Sequence, residues 1–286
     1  MMLRLLVTGG SGLLGSAVVR HLRACGHEVL SADRVPPPDR AGRYKLVDIE
    51  DTGQVYSVVR GMDAVVHLAA IPRPQYDAPE VVFRTNTMAM FNVMEAAAAF
   101  GVPRVIYASS ISVLGFPFFT QPLSPAYLPI DEDHPRLPQD AYALSKALGE
   151  EIAAAFVRRQ GGALTVISLR YPWIHTPESF AEQIVPLWNQ PAPDAAANLF
   201  SYVDARDAAE SVRLALEAPV NGHEAFFISA RDSFMPQESA ALAAAHFPTA
   251  EIRAGLTGHA SLLSTRKAAQ ALGFAAQHSW RDYGVR

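Results

Sequence analysis

The chain has one cysteine, Cys25, in 286 residues, so no disulfide within the chain can staple its fold. A reducing compartment suits such a sequence. Cys25 has no acid–base motif beside it and reads as a packing residue. Charge is also scarce, with 18% of residues charged and a net charge of −4. That balance gives no electrostatic case for a nucleic acid or an anionic membrane as partner. No stretch reaches the roughly 18 uninterrupted apolar residues of a membrane span. The first apolar run stops at glycines after a few residues, unlike a secretion signal. The expected location is the cytoplasm. No internal repeat or coiled-coil heptad is evident, and no metal is expected. Half of the residues are hydrophobic, which suits a globular enzyme with one large core or two unequal lobes.

The most informative stretch is residues 3–15, LRLLVTGGSGLLG. Leu5, Leu6 and Val7 form an apolar run without alternation, as expected of a strand buried on both faces of a parallel sheet. Gly9, Gly10, Gly12 and Gly15 follow, then a helical pattern with Leu14, Val18, Val19 and Leu22 on one face. Strand, glycine turn and helix together form a phosphate cradle, because glycines admit a diphosphate and helix N–H groups face its charge. Gly9, Gly12, Leu13, Leu14 and Gly15 are the candidate contacts. Asp33 ends the next predicted strand, 18 residues after Gly15. A carboxylate near this offset accepts hydrogen bonds from an adenosine ribose and repels a 2′-phosphate, which favours NAD. The adjacent Arg34 would welcome that phosphate, so NADP stays open. A third strand over 44–48 ends in Asp48 and is followed by Ile49, and the acid would either meet an adenine amino group or cap the next helix.

A fourth strand over 64–68 ends at Leu68 and is closed by Ala69 and Ala70, small enough to let a dinucleotide pass. His67 sits in an apolar run and is assigned no chemistry. The loop 71–79 carries Arg73, a candidate anchor for an anionic or hydroxyl-rich substrate. A long apolar helix is expected over 86–100, and a fifth strand over 104–108 leads to Ser110 and Ser112. Residues 116–138 read as a long irregular segment, a lid or substrate wall. A helix beginning at Asp140 puts Tyr142 and Lys146 four apart on one face. Prolines at 172, 177, 186, 191 and 193 break the segment after the sixth strand. Strands alternating with helices give an α/β fold, a doubly wound parallel (Rossmann) sheet with a small C-terminal lobe. The expected division is a dinucleotide-binding part over 1–170 and 199–230 and a substrate-binding lobe over 171–198 and 231–286.

Tyrosine has an ordinary pKa near 10, so about one part in a thousand is ionised at pH 7. A lysine ammonium one turn away is expected to lower it, by about three units if the phenol is to work near neutrality. Tyr142 would then take a proton from a substrate hydroxyl as hydride leaves the same carbon, with Ser110 holding the oxygen.

With TGGSGLLG at 8–15, Asp33, HLAA at 67–70, YASSISVLG at 107–115, YALSK at 142–146 and FSYVDARD at 200–207, the chain resembles the extended short-chain dehydrogenase/reductases, the NAD-dependent epimerase/dehydratase group. The resemblance implies Tyr142 as acid/base, Lys146 on the nicotinamide ribose, Ser110 orienting the substrate and Asn86 as the asparagine on the helix lining the site. It also implies a homodimer through the helices near 86–100 and 140–158. Ile111 and Ser112 stand where sugar dehydratases place an acidic pair, which disfavours dehydration. Trp173 stands where nucleotide-sugar epimerases usually carry an asparagine, and the C-terminal part is short for a nucleotide-sugar pocket. The compact form resembles uronate dehydrogenases, yet no arginine lies between Tyr171 and Asn198 to clamp a carboxylate from that side. The expected activity is NAD-dependent oxidation of a carbohydrate hydroxyl, in a sugar, sugar acid or nucleotide sugar. The alternatives are an NAD-retaining epimerase and a non-catalytic NAD(P) sensor.

Overall fold

A computed structural model describes residues 2–38, 42–188 and 193–284. In chain order the elements begin with β1 (Arg4–Thr8), α1 (Leu13–Ala24), β2 (Glu28–Asp33), β3 (Tyr44–Leu46), α2 (Thr52–Val59), β4 (Ala64–His67), α3 (Pro79–Phe100) and β5 (Arg104–Ser110). There follow β6 (Tyr127–Leu128), α4 (Ala141–Arg159), β7 (Thr165–Tyr171), β8 (Trp173–His175), α5 (Pro177–Gln183) and α6 (Pro193–Ala197). The chain continues through β9 (Tyr202–Asp204), α7 (Ala205–Glu217), β10 (His223–Phe227), α8 (Ser239–His246), β11 (Glu251–Ile252) and α9 (Arg266–Leu272).

Seven strands form one sheet in the order β10-β7-β5-β4-β1-β2-β3, with every pairing parallel. The central strands are apolar on both faces, because helices cover both. Leu5, Val18, Val212 and Leu272 pack α1, α7 and α9 on one side. Leu6, Val55, Val93 and Ala153 pack α2, α3 and α4 on the other. Chain direction across the sheet reverses between β1 and β4, and the carboxyl ends of those strands open a crevice there. Gly149 lets α4 lie against β5, since a Cβ there would collide with the Tyr107 hydroxyl.

A second apolar cluster beyond those strand ends joins Phe180, Tyr202, Phe234, Leu262 and Trp280. Phe116, Leu128 and Ile130 also belong to it, so the segment expected to be irregular over 116–138 is anchored by its aromatic and aliphatic residues. The broken segment after β7 likewise contains β8 and α5. Thr176 caps α5 with Pro177 at its start, a position where proline gives up no hydrogen bond. Helix α3 begins at Pro79, seven residues before the expected start at 86, for the same reason. The loop expected over 35–43 lies partly outside the described residues. No helix among those described is long and apolar enough to cross a membrane.

Candidate active site

The glycine turn packs too tightly for side chains at Gly9, Gly10 and Gly15 and opens at Gly12. Gly9 has φ +71°, and a Cβ there would come within 2.6 Å of Ala69 N. A Cβ at Gly15 would collide with the Gly9 carbonyl oxygen. At Gly12 it would meet nothing nearer than Gly9 O at 3.5 Å, so the backbone is bare toward the crevice. No side chain caps α1 and no acid lies in its first turn, leaving the positive end of the helix toward that opening.

A cavity of about 640 Å³ runs along these strand ends. Asp33 and Arg34 stand at one end, and Gly9, Gly12, Leu13, Leu14 and Gly15 line its middle. Ile49, Leu68, Ala69 and Ala70 also line it. Ser110, Tyr142, Lys146, Arg73 and Trp173 close the far end. The Asp33 carboxylate accepts from Ser11 N at 3.0 Å, which aims it across the turn. A bare glycine cradle, an uncapped helix start and an acid at one end of an elongated cleft fit a dinucleotide. A second cavity, of about 750 Å³, adjoins the far end and shares Arg73, Ser110, Tyr142 and Trp173 while adding Ser112.

Asp140 accepts from the N–H groups of Tyr142 and Ala143 at 2.8 and 2.9 Å, so the start of α4 is fixed where the two cavities meet. Tyr142 and Lys146 are 8% and 4% exposed, dry enough for burial to govern their charge. Burial pushes the Tyr142 phenol up to about 12, although the Ser110 hydroxyl and the Arg73 guanidinium pull it down. Lys146 is pushed down to about 7 by burial, with Glu150 opposing. The expectation that Lys146 brings the Tyr142 pKa down is therefore corrected: burial raises the phenol and outweighs the pull of Ser110 and Arg73. Lys146 Nζ donates to Ala108 O at 2.7 Å and lies 5.7 Å from the centre of the Tyr142 ring. Ser110 Oγ accepts from Ser112 N at 3.1 Å and shares a hydrogen bond with Ser112 Oγ at 2.9 Å.

Two expected site residues lie elsewhere. Asn86 is buried outside both cavities. Its Oδ1 accepts from Ile71 N at 2.7 Å, and its Nδ2 donates to Ile71 O at 3.0 Å and Ser145 Oγ at 3.1 Å. With its amide so engaged it ties α3 to α4 and to the loop carrying Arg73, which makes it a positioning residue. Asp48 is exposed and outside the cavity lining. Its carboxylate accepts from Glu50 N at 3.0 Å, while the cap of α2 is Asp51. His67 bonds Thr8 Oγ1 at 2.8 Å and stacks on Tyr107, in keeping with a core role.

Sequence reasoning missed Glu150, one turn beyond Lys146. Its carboxylate accepts from Ser109 Oγ at 2.7 Å, from Arg170 at 2.9 and 2.8 Å and from Arg136 at 3.2 Å. It joins β5, β7 and the 116–138 segment beneath the Tyr–Lys pair. The repeat of Tyr142, Lys146 and Glu150 at four-residue spacing was the available signal.

The family model described as "NAD dependent epimerase/dehydratase family" matches residues 5–228. The chain belongs to this family. A uronate dehydrogenase of Pseudomonas putida is 33% identical over 170 residues, covering 58% of this chain and 59% of that protein. An L-arabinose 1-dehydrogenase (NAD(P)(+)) of Haloferax volcanii is 32% identical over 190 residues, 64% of this chain and 72% of its own length. Among solved structures, a short-chain dehydrogenase/reductase superfamily protein of Agrobacterium tumefaciens with bound NAD has a TM-score of 0.73 and 25% identity, covering 98% of this chain and 94% of that one.

Proposed function

We propose that this chain is an NAD-dependent oxidoreductase acting on a carbohydrate hydroxyl. The observation that carries the reading is the buried Tyr142–Lys146 pair with Ser110, set where a dinucleotide-shaped cleft meets a second cavity. When bound, NAD supplies the acceptor for hydride from the hydroxyl-bearing carbon. Tyr142 takes the hydroxyl proton, or returns it in the reverse direction. Ser110 donates to or accepts from the reacting oxygen and holds it against the phenol. Lys146, poised near neutrality, holds or releases a proton at Nζ beside that phenol. Turnover near pH 7 requires the Tyr142 pKa to fall from about 12. The Arg73 guanidinium acts in that direction, and a protonated Lys146 would reinforce it. Gly9, Gly12, Leu13, Leu14 and Gly15 would hold the diphosphate, Asp33 the adenosine ribose, and Lys146 the second ribose.

We extend the reading to a substrate lobe over 171–198 and 231–286, a cytoplasmic location and a homodimer through α3 and α4. The dimer is supported by Met88, Phe91 and Leu144, which expose apolar side chains on those helices. An epimerase uses the same residues and differs in keeping its NAD. The test is a panel of sugars, sugar acids and nucleotide sugars with NAD or NADP, followed at 340 nm, with products resolved by chromatography because net epimerisation leaves that absorbance unchanged. The expected result is reduction of exchangeable NAD, lost at least about 1,000-fold in Tyr142→Phe with NAD binding retained. Full turnover in that variant removes the assigned acid/base. A converted sugar with tightly held NAD favours the epimerase.

A further inference from the structure

Arg73 brings to the second cavity a positive charge that a neutral sugar would leave unmatched. It lies in the loop after β4 and is half-buried. Its guanidinium carbon is 5.8 Å from the Tyr76 ring centre and 5.4 Å from that of Trp173. Aromatic rings attract the cation without consuming its N–H donors. Among the described residues it forms no ion pair and donates no side-chain hydrogen bond. A guanidinium offers five N–H donors and no acceptor, and with no protein group taking them Arg73 presents them to the cavity. Arg73 lines both cavities and is near enough to Tyr142 to pull its phenol down.

We infer that Arg73, held by Tyr76 and Trp173, is a carboxylate clamp, so that the site takes a monosaccharide acid. This rests on the oxidoreductase reading above and names its substrate class. The reacting hydroxyl lies against Tyr142 and Ser110, and the carboxylate lies on Arg73. Phe118, edge-on to Tyr142 with ring centres 6.2 Å apart, walls the sugar ring on another side. The absence of an arginine between Tyr171 and Asn198 is met by a cation from the loop after β4, which stacks on Trp173 of that same segment.

The charge inventory favours a carboxylate over a phosphate or diphosphate. Phosphate sites gather several cations and free N–H groups. Here Lys146 lies outside the second cavity's lining, and Asp140 already occupies the N–H groups at the start of α4. Asp140 also lines this cavity and adds negative charge beside Tyr142, which disfavours a dianion. One planar guanidinium matches one carboxylate through two parallel hydrogen bonds.

Calorimetric titration of the NADH-loaded protein, in which an alcohol substrate does not turn over, separates binding from chemistry. The probes are D-galacturonate, D-glucuronate and D-mannuronate, each beside its neutral hexose and hexose 6-phosphate. At least one uronate is expected to bind about 10- to 100-fold tighter than its hexose. Arg73→Met removes that advantage and changes the hexose affinity by less than about threefold, whereas Arg73→Lys restores only part of it because the fork is lost. Equal or tighter binding of every hexose, equal losses for uronate and hexose in Arg73→Met, or tighter binding of the 6-phosphates overturns the clamp. No uronate binding overturns it too. Failure of the oxidoreductase reading looks different: no sugar of any class is then converted by the NAD-loaded protein, whatever the calorimetric order.

Discussion

At the residue scale, coenzyme choice rests on Asp33. Ser11 N holds one carboxylate oxygen, so the side chain is oriented before any ligand arrives. Arg34 beside it is exposed and forms no ion pair among the described residues. Asp33→Ala is expected to weaken NAD by about 10- to 100-fold, the value of a hydrogen bond to a charged group, and NADP by less than about threefold. Fluorescence titration with both coenzymes measures this, and a wild type that binds NADP more tightly would remove the role given to Asp33. That Asp33, Ser110, Tyr142 and Lys146 line one cleft was legible because each place follows from residue type and from position after a strand or within a helix. Asn86 was not, because the same amide lines a site or bolts two helices according to which partners the fold brings to it. The charge states were hidden for a related reason. Four-residue spacing says that Tyr142 and Lys146 are neighbours, but the burial that raises one and lowers the other belongs to the folded chain.

At the element scale, the start of α4 was legible in Asp140, its cap, while that of α3 was not. Prolines at 79 and 177 read as breaks, yet each begins a helix, where a missing N–H costs nothing. Glu150 belongs to this scale, since it ties the strand ending in Ser110 to the helix carrying Tyr142 and to β7 through Arg170. The outer faces of α3 and α4 expose large apolar side chains among charged ones, with Met88 at 40%, Phe91 at 41% and Leu144 at 43% exposure. If these faces pair two subunits, Phe91→Glu places an uncompensated charge in the interface and weakens the dimer by at least about 100-fold. Sedimentation velocity on the 30.9 kDa chain is expected to give a dimer at micromolar concentration and a monomer for the variant. A wild type that sediments as a monomer there overturns the pairing.

At the scale of the whole molecule, the fold buries two histidines beside the cleft, one against Tyr107 and one against Phe180. His67 lies under the sheet's crevice, bonded to Thr8 and stacked on Tyr107, and burial pushes it down to about 3. His175, at the end of β8, is pushed down to about 4 by burial and by Arg73. An unfolded histidine titrates near 6.5. Below that pH the unfolded chain binds protons that the fold refuses, so the stability is full above pH 6.5 and drains away as pH falls toward the folded values. Between pH 7 and pH 5 each histidine is expected to cost about 2 kcal/mol. Lys146 adds little in that window, because at a pKa near 7 it is largely charged in both states below neutrality. Urea unfolding at the two pH values measures the loss. In His67→Gln, whose amide still reaches a hydroxyl partner, the loss is expected to shrink by about 2 kcal/mol whatever the variant's stability at pH 7. An unchanged loss would mean that His67 accepts its proton inside the fold, and that the floor of the crevice is wetter than its packing against Tyr107 implies.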